Sequence, residues 1–161
     1  MEARSVMRVT KATKSNSQLI LNFIRKKAKF DGETRGFDCE VITSLEKIER
    51  TMFCDNPFAN VLLLKDVDDD LGFALYHTRY SSFSGTPSIW LDDLFVDSSK
   101  RSLGGGLVMM NALKEQGVEM GASHISWIAC IHNTRGASFY NRLGAEVERT
   151  EGNLHYYYLS L

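Results

Sequence analysis

Apolar positions along this chain follow two rhythms, one helical and one alternating. Between Gln18 and Lys29, residues Ile20, Phe23, Ile24 and Ala28 share a helical face, and Ser15-Asn16-Ser17 supplies N-cap side chains in front of them. Thr43-x-x-Glu46 has capping-box spacing and opens a second helix to about Phe53, which Asp55-Asn56-Pro57 breaks. Asp31 to Cys39, with two glycines and alternating charge, predicts a loop between these helices. Strands are predicted at Met7–Thr13, Asn60–Lys65, Leu71–Tyr80 and Ile89–Val96, with the acid run from Asp66 through Asp68 to Asp70 as a solvated turn that lacks calcium-loop spacing. From Gly105 to about Met120, Leu107, Met110, Leu113 and Gly117 recur at helical spacing, with Met109-Met110 as core filler. A strand from His124 to Ile131 follows. Asn133 then caps a helix through Leu143, with Gly144 at its C′ position, and strands Ala145–Thr150 and Leu154–Leu159 flank the turn Glu151-Gly152-Asn153.

That order is mixed α/β. The crossover from Ile89 to Ile131 has to join parallel strands, so the expected fold is a central mixed sheet of about seven strands flanked by about four helices. With 161 residues, 43% hydrophobic content and no linker or repeat, residues 1–161 read as one domain. A formal charge of −1 makes neither nucleic acid nor an anionic membrane an expected partner. Three cysteines, Cys39, Cys54 and Cys130, without paired spacing argue against a disulfide framework and a cysteine zinc site. Neither His124 nor His132 has further ligands at metal-binding spacing, so no metal is expected. The N-terminal residues lack a signal-peptide pattern and no apolar run reaches membrane-spanning length, which predicts a cytoplasmic protein.

The chemistry is concentrated between Leu91 and Gly106, where an apolar strand containing Asp92 and Asp93 runs into a basic, glycine-rich turn that opens a helix. Arg101, Gly104 and Gly106 stand in Arg-x-x-Gly-x-Gly spacing. Glycines there permit positive φ and close approach of backbone N–H groups to an anion, and the helix start adds unpaired donors and the positive end of its dipole. A pyrophosphate suits such a cradle. A Walker A loop is excluded because no Gly-Lys-Ser/Thr follows, and the dinucleotide fingerprint lacks its last glycine.

The strand Leu91–Val96, this turn, and the block Asn133-x-x-x-Ala137-x-Phe139-Tyr140-x-x-Leu143-Gly144-Ala145 together resemble the Gcn5-related N-acetyltransferase (GNAT) superfamily from end to end. Ser81-Ser82-Phe83, Ile89 to Val96 and Lys27-Ala28-Lys29-Phe30-Asp31 are similar to its diamine, polyamine and thialysine acetyltransferase branch. The resemblance implies acetyl-CoA as co-substrate. Its pyrophosphate would lie on Arg101, Ser102, Leu103, Gly104, Gly105 and Gly106, and its pantetheine arm along Leu94, Phe95 and Val96. Ser102 stands where glycine is frequent and Gly105 where an aliphatic residue is usual, which implies a shifted or looser helix start.

The implied reaction is direct attack of a small-molecule primary amine on the thioester, through a tetrahedral intermediate that expels CoA thiolate. An alkylamine of pKa ~10.4 is nucleophilic in only about one molecule in a thousand at neutral pH, so a carboxylate or water chain has to accept its proton. By the resemblance Tyr140 is the general acid for the leaving sulfur. Asn133 reads as N-cap and as contact to the pantetheine arm. Asp92 and Asp93 are adjacent acids in a strand whose faces alternate; one faces the substrate groove, where it attracts a cationic amine or relays its proton through water. Asp92 replaces the branch's glutamate and is shorter by one methylene. Asp31 and Glu33 are further candidates for the amine-binding mouth. A homodimer is implied by the resemblance, with His155-Tyr156-Tyr157-Tyr158 read as exposed aromatics of an interface strand. A different acceptor amine, such as an aminoglycoside, an amino acid or a protein lysine, and a non-catalytic CoA-binding module are the competing readings.

Overall fold

The computed structural model describes residues 6–67, 69–101 and 103–161, so Asp68 and the cradle candidate Ser102 lie outside the described residues. In chain order the described elements are β1 (Arg8–Lys11), α1 (Ser17–Arg35), α2 (Leu45–Met52), β2 (Asn60–Lys65), β3 (Asp70–Ser81), β4 (Thr86–Val96), α3 (Gly105–Glu119), β5 (His124–Cys130), α4 (Thr134–Arg142), β6 (Glu146–Glu151) and β7 (Leu154–Ser160). They form the mixed α/β architecture expected from the sequence, a seven-stranded sheet in the order β1-β2-β3-β4-β5-β7-β6. The β4–β5 pair is parallel and the others are antiparallel.

Side-chain alternation divides the core in two. Leu62, Leu64, Ala74, Tyr76, Ile89 and Leu91 face α3 and α4, where they meet Met109, Met110 and Leu113. Val61, Leu63, Phe73, Leu75 and Phe95 face α1 and α2 and pack on Ile20, Phe23 and Ile48. Every residue of β3 from Leu71 to Tyr76 is buried, as befits a strand covered on both faces.

Several sequence expectations are corrected. Of the expected loop Asp31–Cys39 only the part from Gly36 on is one: α1 continues through Asp31 and Gly32 to Arg35 and stops at Gly36, whose φ of 78° lets its N–H bond the Gly32 carbonyl. Gly32 is there for space, since a Cβ would lie 2.9 Å from the Phe37 carbonyl oxygen as the chain turns back. In α3, Met109, Met110, Leu113 and Gly117 are buried, whereas Leu107 is 48% exposed and borders a surface cleft. Finally, β7 is an interior strand with Tyr157 buried and its neighbours half-buried; the exposed edge is β6. The N-cap of α2 is Ser44, one residue beyond the expected Thr43, and its hydroxyl accepts from the Lys47 N–H. Among the described residues no helix is long and apolar enough to cross a membrane.

Candidate active site

Two irregularities of β4 build the site. The strand pairs with β5 only at Ile89 and Trp90, after which the two strands part. From Leu91 onward β4 therefore has β3 on one side and no strand among the described residues on the other, which leaves backbone groups of that edge unpaired by any strand inside a continuous sheet. The second irregularity is a bulge. Tyr76 faces Leu91 while Leu75 faces Asp93, so Asp92 is the extra residue. Before the bulge the odd-numbered Ile89 and Leu91 face α3; after it the even-numbered Leu94 and Val96 do, and Asp93 is turned toward α1 with Phe95.

The opening between the parted strands holds two connected clefts. The wider, about 630 Å³, is lined by Leu94, Phe95, Val96, Arg101, Gly104, Gly105, Gly106, Asn133 and Tyr140, residues expected from the sequence, together with Phe30, Leu107, Arg135, Phe139 and Arg142. Leu103 is 57% exposed and does not line it. Gly104, at φ 85°, is the N-cap of α3, and no side chain among the described residues caps that helix. The first-turn N–H donors are therefore unserved by any described capping side chain and open onto the cleft.

α3 begins at Gly105, directly after the Gly104 cap. Gly105 is buried, and a Cβ there would come within 2.7 Å of Leu64 Cδ2. At Gly106 a Cβ would stand 3.0 Å from the Phe139 ring, which forms the cleft's apolar wall. Arg101 is drawn inward. Its Nε donates to the Val96 carbonyl at 2.9 Å and its guanidinium lies over Phe30 at 4.7 Å, where burial, followed by the nearby Arg135, lowers its pKa. Arg135 and Arg142 are the cations sequence reasoning missed. Their positions i+2 and i+9 from the Asn133 cap were the available signal, since α4 lies against the cradle. Asn133 itself caps α4 by accepting from the Gly136 N–H at 3.0 Å, and a side chain at Gly136 would collide with it.

The narrower cleft adjoins the first, sharing Phe30, Leu94, Asn133 and Tyr140 with it. Asp31 and Asp92 reach its wall, as do Lys27, Arg35 and, from β5, Trp127 and Cys130. Asp92 is exposed, and Asp93 is only 22% exposed, 3.8 Å from Lys27 Nζ. Lys27 also holds Asp31 at 2.5 Å, one helical turn away. Burial pushes the Asp93 carboxyl up to about 6; Lys27 opposes the shift, and the negative charges of Asp92 and Asp31 add to it. Lys27 and Trp127 were not anticipated. Trp127 Nε1 is a buried donor without a hydrogen-bond partner among the described residues.

Tyr140 is buried where the clefts meet. Trp127 and Tyr157 ring centroids lie 5.0 and 4.9 Å from its own. Burial, with smaller contributions from Tyr157 and Asp31, pushes its phenol above the ordinary tyrosine range, so it is protonated throughout physiological pH.

This arrangement has relatives. Over 76 residues the chain is 30% identical to L-ornithine N5-acetyltransferase NATA1 of Arabidopsis thaliana, a match covering 47% of this chain and 33% of that protein. It therefore spans about a third of that relative's length. Thialysine N-epsilon-acetyltransferase of Bos taurus is 25% identical over 135 residues, covering 79% of this chain and 76% of the other. In fold, the chain is similar to the PaiA N-acetyltransferase of Thermoplasma acidophilum in complex with coenzyme A, with a TM-score of 0.74 at 14% identity and coverage of 97% and 99%. Residues 30–145, which include the parted strands, the cradle and α4, match the model of the acetyltransferase (GNAT) family, and the chain belongs to that family.

Proposed function

We propose that this acetyltransferase moves the acetyl group of acetyl-CoA to a primary amine of a small diamine, polyamine or thialysine-like amino acid. The observation that carries the reading is the meeting of the two clefts at Tyr140, one with an anion cradle and the other lined by the carboxylates Asp31 and Asp92 with Asp93 behind them. The relatives that act on ornithine and thialysine support the same acceptor chemistry.

The wide cleft suits CoA on its own terms. The uncapped N-terminus of α3 offers backbone donors for a pyrophosphate, and Arg101, Arg135 and Arg142 add positive charge. The unpaired edge of β4 at Leu94 to Val96 can hydrogen-bond the amides of a pantetheine arm as a neighbouring strand would, against the apolar wall of Phe30 and Phe139. Bound there, acetyl-CoA supplies the activated acetyl thioester.

The chain's own residues then handle charge and protons. Asp92, exposed in the narrow cleft, attracts a cationic amine and holds it next to Tyr140. Asp93, with its pKa raised to about 6, is ionised at neutral pH yet more basic than an ordinary aspartate, which suits it to accept the amine's proton through water. Tyr140 presents a neutral O–H. Because its pKa lies above that of a thiol, its contribution is a hydrogen bond to the developing thiolate more than complete proton transfer.

The test is CoA release from acetyl-CoA, followed with a thiol reagent against spermidine, putrescine, ornithine, thialysine, aminoglycosides, ordinary amino acids and a lysine peptide. Turnover confined to the diamine-like amines supports the reading. Turnover with another class keeps the enzyme and overturns the acceptor, and CoA binding without turnover of any amine points to a binding module.

A further inference from the structure

Two acids, Asp31 and Asp92, line the acceptor cleft and a third, Asp93, lies beside it; Asp31 and Asp93 are already served by a cation from the chain itself. Lys27 Nζ stands 2.5 Å from Asp31 Oδ2 and 3.8 Å from Asp93 Oδ1. Its side chain is only 17% exposed, so this ammonium is part of the cleft wall and not a solvated surface charge. Asp92 alone among the three makes no ion pair with another described residue. A substrate ammonium therefore finds one unserved carboxylate, and a second ammonium on the same molecule meets a resident like charge.

We propose that Lys27 is a specificity-determining residue for the acceptor: its ammonium, held between Asp31 and Asp93, fills the place a polyamine's second cation would take. The cleft then selects acceptors that bring one uncompensated ammonium to it. This rests on the acceptor reading above and narrows it toward diamino acids such as ornithine or thialysine, whose second amine is balanced by their own carboxylate. A like charge a few ångströms away in a partly solvated cleft changes binding by a factor of ten or more, enough to set preference between otherwise similar amines.

The experiment compares wild type, Lys27→Met and Lys27→Arg for kcat/KM on ornithine, thialysine, putrescine and spermidine. A parallel calorimetric titration of spermidine is run in the presence of CoA. Wild type is expected to favour the two diamino acids. Lys27→Met, of similar length and no charge, should raise kcat/KM on putrescine and spermidine relative to ornithine at least about tenfold and tighten spermidine binding by a similar factor. Lys27→Arg should keep the wild-type preference, which a merely structural lysine would not require. An unchanged ratio and unchanged spermidine affinity in Lys27→Met would overturn the proposal, as would a wild type that prefers spermidine. If Lys27→Met does not fold, Lys27→Met combined with Asp31→Asn removes the cation and its nearest acid together and should shift preference the same way. Absence of turnover with every amine defeats the acceptor reading, while the spermidine titration still decides the role of Lys27.

Discussion

Asp93 stands directly across the β3–β4 ladder from Leu75, on the same sheet face that pairs Phe73 with Phe95. A carboxylate placed opposite a core leucine is there because the bulge at Asp92 reverses the strand's alternation at that point. The bulge separates two adjacent acids by function as well as by direction. Asp92 goes to the cleft and Asp93 goes to the seam with α1, where Lys27 reaches it.

The raised Asp93 pKa sets a pH dependence. If ionised Asp93 accepts the amine's proton, kcat/KM falls about tenfold per unit as pH drops below about 6, and Asp93→Asn loses both most of the activity and this acid limb. The stability sign is opposite to that of a salt-bridged aspartate. Because the folded pKa of about 6 exceeds the unfolded value near 3.8, the native state binds more protons between them, and this group's contribution worsens as pH rises through that window. Thermal melts of Asp93→Asn and wild type should therefore diverge in the mutant's favour between pH 4 and pH 7, by on the order of 2–3 kcal/mol.

Tyr140→Phe keeps the ring that packs on Trp127 and Tyr157 and removes only the phenol. Acetyl transfer should fall by about 10²-fold or more with CoA affinity within about twofold of wild type. Since burial holds the phenol protonated, wild-type kcat should show no loss from tyrosine ionisation up to about pH 9.5. A pH profile of kcat for wild type, beside single-turnover rates for the mutant, checks both.

Much of this site was legible in the sequence because its parts are local. The glycine turn, the Asn133 cap and the Tyr140 helix each announce themselves within a few residues, and the structure brings them to one opening. The boundaries Asn60–Lys65 and the start of α3 at Gly105 match the sequence reading. The α1 extension was hidden because Gly32 looks like a breaker, whereas it is a helical glycine beside the returning Phe37 carbonyl. The direction of the paired aspartates depended on a bulge that only the partner strand β3 defines. Lys27 was invisible as a site residue for a similar reason: Asp31 is four residues away, but Asp93 reaches it across the fold.

Gly72 predicts where the sheet cannot tolerate a side chain. It lies opposite Val96, and a Cβ there would fall 2.2 Å from the Phe95 carbonyl oxygen, a backbone atom that cannot rotate away. Gly72→Ala should push β3 and β4 apart just before the cradle, costing at least about 2 kcal/mol and lowering Tm by roughly 5 °C or more. Differential scanning fluorimetry measures it. Since the displaced segment is the Phe95–Val96 edge of the wide cleft, CoA should restore less stability to this variant than to wild type.

The three arginines of the wide cleft differ in what surrounds them, and that difference is testable. Arg101 is committed through Nε to the Val96 carbonyl and through its face to Phe30, so its guanidinium also ties the turn to α1. Arg101→Ala should therefore lower both stability and CoA affinity. Arg142, exposed in the last turn of α4, lines the same cleft and makes no ion pair with another described residue. Arg142→Ala should leave the melting temperature within about 2 °C, because exposed substitutions without partners cost little. It should still weaken CoA binding by roughly three- to tenfold at low salt. Since that contribution is a screened charge interaction, the gap between Arg142→Ala and wild type should shrink as ionic strength rises from 0.05 to about 0.5 M. For Arg101→Ala the packing loss persists at high salt. Calorimetric titration of CoA at two salt concentrations separates an arginine that builds the cradle from one that only charges it.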